Sequence, residues 1–280
     1  MKNVAVIGAG VMGSGIALAC IQSGYTTLLF DVHATALKNG LQYIKEQLQL
    51  SVDKGKSSQK MTEKALSLLK ITENREDLKA ELIIEAIQEN IESKQALFLY
   101  LESINSLQSI FATNTSSIPI TQIAAPLKHA ERIVGIHFFN PAHIMKLVEI
   151  IPGSSTDPEI TQKSIQWAKS LGKTAVLVAD SPGFIVNRVA RHYYVESLKI
   201  LEENVAGIES IDLLMEQTGF KMGPFKLMDL IGVDTNFAVT SSLFQQFHFD
   251  AKFQPNRIQQ QKVNAGHHGR KTKHGFYHYP

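Results

Sequence analysis

A chain of 280 residues is long for one hydrophobic core and suits two domains, or one domain with an extension. With 44% hydrophobic and 19% charged residues, its composition is that of a soluble globular protein. A net charge of +2 is too balanced for a nucleic-acid binder, which concentrates basic residues on one face. Arg270, Lys271 and Lys273 do cluster near the end, where they either meet solvent or a phosphate. The one cysteine, Cys20, allows no intrachain disulfide and fits a reducing compartment. It falls on an apolar helical face beside Ile16 and Ala17 and reads as a buried small hydrophobe. No apolar run approaches the roughly 18 residues of a membrane span. The opening Met1-Lys2-Asn3 resembles neither a signal peptide nor a transit peptide. A cytoplasmic protein without membrane or nucleic-acid partners is expected.

Residues 4–7 form an apolar run that fits a strand buried on both faces. The loop Gly8-Ala9-Gly10-Val11-Met12-Gly13 follows and opens a helix through Ile16, Ala17, Cys20 and Ile21, which Gly24 ends. Residues 26–30 are a second strand, closed by Asp31. Each glycine has a physical role in a dinucleotide site. Gly8 permits a tight turn, Gly10 lets backbone approach a pyrophosphate, and Gly13 lets the helix pack on the strand. The helix start offers N–H groups to the phosphates. Asp31, eighteen residues beyond Gly13, suits the adenosine ribose hydroxyls and would repel a 2′-phosphate. Val32 and His33 bring no arginine to neutralise one, so NAD is favoured over NADP.

A helical period then runs over residues 34–53, breaks at 54–58 and resumes over 61–69. This inserted pair is either a solvated hairpin or an arm over a long ligand, with Lys54 or Lys56 facing a phosphate. Residues 82–84 form a strand ending in Glu85, and Glu89-Asn90 precedes a helix through Ile91, Lys94, Leu97 and Leu101. Residues 109–112 form a strand that delivers Asn114, Thr115, Ser116 and Ser117. Ligands of open α/β sheets bind at such strand ends. Ligand contact is the preferred reading for Asn114 and Ser116, while Ser117 suits a helix cap at least as well as a ligand contact.

Residues 132–138 and 146–151 read as two strands joined across Asn140-Pro141. The first brings His137, a group able to move a proton near neutral pH. The second brings Glu149 among Leu147, Val148, Ile150 and Ile151, where an unpaired carboxylate would be costly. A His137–Glu149 hydrogen bond would fix the imidazole tautomer and stabilise its protonated form. A metal centre fits poorly, since His137 and His143 lack a third ligand at a familiar spacing.

At this point the chain resembles the short-chain 3-hydroxyacyl-CoA dehydrogenase family, 3-hydroxybutyryl-CoA dehydrogenase type, over nearly its whole length. The segments are GAGVMGSGIA at 8–17, EAIQENIESK at 85–94, NTSSIPIT at 114–121 and HFFNPAHIMKLVEII at 137–151. DSPGFIVNR at 180–188, GFKMGPFKLMDLIGVD at 219–234 and GRKTKHGFYHY at 269–279 complete the series. The resemblance implies an N-terminal α/β, Rossmann-like dinucleotide-binding domain with an inserted helical arm, residues 1–182. An all-α C-terminal domain, residues 183–280, would serve substrate binding and homodimerisation. It implies His137 as general base, Glu149 as its orienting carboxylate, and Ser116 and Asn187 as hydrogen-bonding partners of the reacting oxygen and acyl chain. Cofactor contacts would come from the loop of Gly8, Ala9, Gly10, Val11, Met12 and Gly13, and from Asp31, Glu89, Lys94, Ser116, Asn140 and Lys271. Lys54 would meet the CoA portion of an acyl-CoA. The family's serine seven residues before that lysine is Gln47 here. His268 and Lys273 stand where leucine and glycine are common.

Within the first of these domains, a helix over 158–171 and a final strand over 174–178 precede the Pro182-Gly183 linker. Beyond it the patterns predict helices over 185–202, 208–218, 227–231 and 257–265, then a tail. The activity implied is reversible NAD-dependent oxidation of a (3S)-3-hydroxyacyl-CoA. A dehydrogenase of a free hydroxy acid or sugar acid, and a non-catalytic NAD-binding protein, are the alternatives.

Overall fold

The computed structural model describes residues 1–280 and divides by its contacts into Met1–Ser181 and Pro182–Pro280. The first unit alternates strands and helices. These are β1 (Asn3–Ile7), α1 (Val11–Gln22), β2 (Thr26–Phe30), α2 (Ala34–Asp53), α3 (Gln59–Ser67), β3 (Leu69–Thr72) and β4 (Leu82–Glu85). There follow α4 (Ile91–Ile104), β5 (Ile110–Thr113), α5 (Ile120–Ala124), β6 (Ile133–Phe138), β7 (Leu147–Pro152), α6 (Pro158–Ser170) and β8 (Thr174–Leu177). One sheet runs β3-β2-β1-β4-β5-β6-β7-β8. Its first six strands are parallel, and β7 and β8 run the other way. The chain turns back at β1, so β2 and β4 flank it and a crevice opens at the carboxyl ends of β1 and β4.

The central strands β1, β4, β5, β6 and β7 are largely apolar because both their faces are covered. On one face Val4, Val6, Leu82, Ile84, Ala112, Val134 and Ile150 pack with Ile16, Ile44, Leu48 and Trp167 from α1, α2 and α6. On the other, Phe98 of α4 meets Phe111 of β5 at 6.1 Å. Each fully buried side chain of this size contributes roughly 1.5–3 kcal/mol. The helical arm is no solvated hairpin: Leu37, Ile44 and Leu48 bury α2 in the core, while its far end from Asp53 to Lys56 is exposed.

Strand β3 falls where the sequence predicts the end of a helix. Its four residues, LKIT, follow α3 with no glycine or proline between, and as an edge strand it is at best half-buried, so no apolar run marks it.

The second unit holds α7 (Val186–Glu202), α8 (Ile208–Gln217), α9 (Pro224–Ile231), α10 (Val233–Gln246) and α11 (Arg257–Asn264). Tyr194, Leu198, Ile211, Phe225, Met228, Val233 and Phe276 form its core. Helix α10 carries no helix signal in the sequence. Its threonines, serines, valines and asparagine are weak helix formers. Packing decides it, through the buried Val233, Asn236, Thr240 and Leu243. Arg191, buried on α7, donates to the Asn236 carbonyl and to Thr240 Oγ1, both at 2.9 Å.

The tail beyond α11 is held by two buried carboxylates. Asp212 accepts from the Phe225 and Lys226 N–H groups, which starts α9, and from the Tyr277 hydroxyl at 2.8 Å. Asp229 accepts from the Phe276 and Tyr277 N–H groups and the Tyr279 hydroxyl. Gly275 and Gly269 are needed there, because a Cβ on either would run into Asp229.

Candidate active site

The β1–α1 loop has the steric character its glycines predict. Gly8 has φ +101° and lies against the Ala86 carbonyl, so a side chain there would be strained and would collide. A Cβ on Gly13 would meet the Gly8 carbonyl oxygen at 1.7 Å. A Cβ on Gly10 would meet nothing within 4 Å, and α1 begins at the next residue. The loop is thus closed on its protein side and open where a phosphate would sit over the helix start. Asp31, at the end of β2, accepts from the Ala9 N–H at 2.8 Å and the His33 N–H at 3.0 Å. Its carboxylate therefore shapes the loop beside which a ribose would lie. These residues fit a dinucleotide.

The ends of β4 and β5 are joined by a charged network. Lys94, on α4 and 1% exposed, donates to Glu85 Oε1 at 2.6 Å and lies 3.2 Å from Glu89 Oε2. Glu85 also accepts from the Thr113 hydroxyl and the Ile87 N–H. Burial pushes the Glu85 carboxyl up, against the pull of Lys94 and these donors. Burial works on Glu89 in the same sense, but the Lys94 ammonium, the Thr115 hydroxyl and the Ser116 N–H outweigh it and leave that carboxyl below the usual range. Glu89 Oε1 also gathers the following turn, accepting from Thr115 Oγ1 at 2.6 Å, Ser116 N at 2.9 Å and Ser117 N at 3.2 Å.

The expected roles at this turn shift accordingly. Asn114 Oδ1 accepts from the Phe138 N–H at 2.9 Å, so this side chain ties β5 to the end of β6. Ser117 does not cap α5. Asp180, sixty residues on, does so by accepting from Ile120 N and Thr121 N, each at 2.8 Å. Such a cap has no signature in the local sequence. Glu85 was legible only as a carboxylate at a strand end, and its link to Lys94 needed the fold.

His137 and Glu149 face each other across the antiparallel β6–β7 pair. Both are buried, and His137 Nδ1 lies 2.7 Å from Glu149 Oε2. The reversal of β7 creates this pairing, because it brings the start of β7 to the carboxyl end of β6. The contact through Nδ1 makes Nε2 the nitrogen through which a proton can be exchanged with a reacting group. Phe139 leans on the imidazole, with ring centroids 4.5 Å apart, and Asn140 follows it at the surface. Asn140 and Pro141 are joined by a cis peptide bond.

The other expected residues belong to other elements. Lys54 is exposed at the C-terminus of α2. In the second unit, Asn187 is on the first turn of α7, and Lys271 pairs with Asp234 at 2.6 Å. No group of three or more His, Cys, Asp or Glu is placed to hold a metal ion, and no helix is long and apolar enough to cross a membrane. A concavity of about 890 Å³ lined by Tyr25, Glu81, Arg132, Asp157 and Trp167 opens at the amino-terminal edge of the parallel strands, away from this chemistry.

Comparison with known proteins gives the same picture. The family model of the 3-hydroxyacyl-CoA dehydrogenase NAD-binding domain matches residues 3–181, and that of the 3-hydroxyacyl-CoA dehydrogenase C-terminal domain matches residues 183–279. A 3-hydroxyadipyl-CoA dehydrogenase of Escherichia coli K12 is 44% identical over 99% of the chain, which spans 59% of that protein's length. A probable 3-hydroxybutyryl-CoA dehydrogenase of Bacillus subtilis is 38% identical over 100% of the chain and 98% of its own length. The crystal structure of (S)-3-hydroxybutyryl-CoA dehydrogenase from Ralstonia eutropha superposes with a TM-score of 0.95 at 36% identity, covering 100% of this chain and 99% of that one. With a phosphate-ready glycine loop, a paired histidine and glutamate at the strand ends, and both domain models matched in order, the chain belongs to the 3-hydroxyacyl-CoA dehydrogenase family.

Proposed function

We propose that this protein catalyses the reversible NAD-dependent oxidation of a (3S)-3-hydroxyacyl-CoA to the 3-ketoacyl-CoA. The observation that carries the reading is the buried 2.7 Å contact between His137 and Glu149, on the sheet edge that also bears the glycine loop. Bound NAD supplies the acceptor or donor of the hydride exchanged with C3 of the acyl group. Gly8, Ala9, Gly10, Val11, Met12 and Gly13 hold its pyrophosphate, and Asp31 its ribose. Glu89, Lys94, Ser116, Asn140 and Lys271 complete its contacts, Lys94 acting from within the Glu85–Glu89 network.

His137 takes the hydroxyl proton at Nε2 during oxidation and returns it to the ketone in the reverse direction. Glu149 keeps the ring in the tautomer that leaves Nε2 basic, and offsets the imidazolium charge where both side chains are buried. Ser116 and Asn187 hydrogen-bond the substrate oxygen, and Lys54 meets the CoA phosphates.

The substrate is a short acyl-CoA, as in the relatives named 3-hydroxybutyryl-CoA dehydrogenase. A six-carbon dicarboxylic acyl-CoA is the second reading, favoured by the 44% identity to the 3-hydroxyadipyl-CoA dehydrogenase. NADH consumption with short, medium, long and ω-carboxylated 3-ketoacyl-CoAs, with NADPH alongside, decides between them. The expected result is highest kcat/KM for short chains with NADH. Equal rates with NADPH would overturn the role of Asp31, and no turnover with any thioester would overturn the reading as a whole.

We further propose that the second unit forms a homodimer interface. Val189, Leu213, Leu214 and Phe220 there are at least half exposed, an apolar excess suited to a second copy. Light scattering should give twice the chain mass at micromolar concentration, and a monomer would contradict it. The single buried Cys20 suits a reducing, cytoplasmic setting.

A further inference from the structure

The loop between His137 and Glu149 rests on a buried cation that the reaction scheme leaves unassigned. Helix α6 ends in a turn whose Gly172 has φ +71°. The Gly172 N–H returns to the Lys169 carbonyl and the Lys173 N–H to the Ala168 carbonyl, the paired bonds of a left-handed helix terminus. This turn points Lys173, 8% exposed, beneath the β6–β7 connection. Its Nζ donates to the Ala142 carbonyl at 2.7 Å and the Met145 carbonyl at 2.8 Å. It forms no ion pair with a carboxylate.

The segment it holds is a single turn, in which the Ile144 and Met145 N–H groups both reach the Pro141 carbonyl at 2.9 Å. The ammonium caps the carbonyl end of that turn as a cation caps a helix C-terminus. Other parts are packed close around it. A Cβ on Gly15 of α1 would come within 3.2 Å of the Ala142 Cβ, and the His143 ring meets Tyr43 of α2 edge-on at 6.1 Å. Burial and the Lys173 charge hold His143 below the usual imidazole range. Burial likewise holds the Lys173 ammonium below the usual lysine range. A desolvated cation kept without a counter-ion is an expensive way to satisfy two carbonyls. An apolar residue on a loop of another shape would cost less, which points to the shape of this loop as what is being held.

We propose that Lys173 is a positioning residue for proton transfer. By fixing residues 141–145, it sets where Phe139 presses on the His137 ring and where Asn140 is presented. This rests on the reading of His137 as the proton-transfer group and Asn140 as a cofactor contact.

The test compares Lys173→Met, Lys173→Arg and Lys173→Gln with the parent enzyme. Lys173→Met keeps most of the unbranched apolar stem but leaves both carbonyls without a donor. The kcat for acetoacetyl-CoA per folded molecule should fall about tenfold to a hundredfold, as expected for a small displacement of reacting groups. The KM for the thioester should change little, and NADH affinity measured by fluorescence should weaken. Lys173→Arg, which restores charge and donors, should recover part of both losses. Unchanged kcat and NADH affinity in a folded Lys173→Met protein would overturn the proposal, as would a loss that follows the folded fraction alone. Should Lys173→Met fail to fold, Lys173→Gln is judged by the same two readouts. A parent enzyme silent with acetoacetyl-CoA and with every other 3-ketoacyl-CoA would instead refute the assigned activity, and NADH affinity would still decide the role of Lys173.

Discussion

His137→Gln is expected to lower kcat for acetoacetyl-CoA reduction by roughly 10²- to 10⁴-fold, the span that general acid–base help supplies. Glutamine fills a similar volume between Phe139 and β7 and can still donate to Glu149. It has no proton to exchange near neutral pH. NADH affinity should persist, because the glycine loop and Asp31 are formed by β1, α1 and β2 and make no use of the imidazole. Stopped-flow reduction under single-turnover conditions, with NADH binding followed by fluorescence, separates the two quantities. A variant with parental turnover would remove His137 from the chemistry. A variant that loses turnover and NADH binding together would make it a structural residue of the site.

Glu149→Gln is expected to cost about tenfold to a hundredfold in kcat. The amide keeps the shape and can still accept from Nδ1–H at the 2.7 Å contact. A neutral acceptor contributes about 0.5–1.5 kcal/mol where a charged one contributes about 1.5–3 kcal/mol. The loss is largest where the imidazole becomes cationic, so it falls on the transition state rather than on binding. The amide can also turn its NH₂ toward Nδ1, which places the ring proton on Nε2 and blocks acceptance of another. The two routes combine in the same direction. The KM for the thioester should change little, and a variant whose only defect is a raised KM would contradict this account.

The parts of this molecule legible in the sequence are those where local pattern and fold agree. The strands of the sheet core are apolar runs, and the glycine loop carries its steric requirements in its letters. The long helix α2 shows its period over all twenty residues. The His137–Glu149 pairing was legible as a need for a partner, since a carboxylate flanked by Val148 and Ile150 requires one. What the sequence withheld depends on distant residues. Strand β3 is set by pairing with β2, and α10 by the burial of Asn236 and Thr240 against Arg191. Asp180 caps α5 across sixty residues, and Asn114 serves β6 as well as the turn it opens. Lys173 stands between a helix and a strand, where nothing in the local sequence marks it for burial. Only the fold puts it beneath the loop that joins the two proposed acid–base residues.

The measurement that bears most directly on the proposed activity is the rate of NADH consumption with acetoacetyl-CoA set against that with free acetoacetate. Saturable turnover of the thioester, with the free acid slower by orders of magnitude, is the predicted result. Comparable rates for the two would contradict a CoA-directed enzyme and point to a dehydrogenase of free hydroxy acids. Tight NADH binding with no turnover of either, or of any longer or ω-carboxylated 3-ketoacyl-CoA, would contradict catalysis altogether.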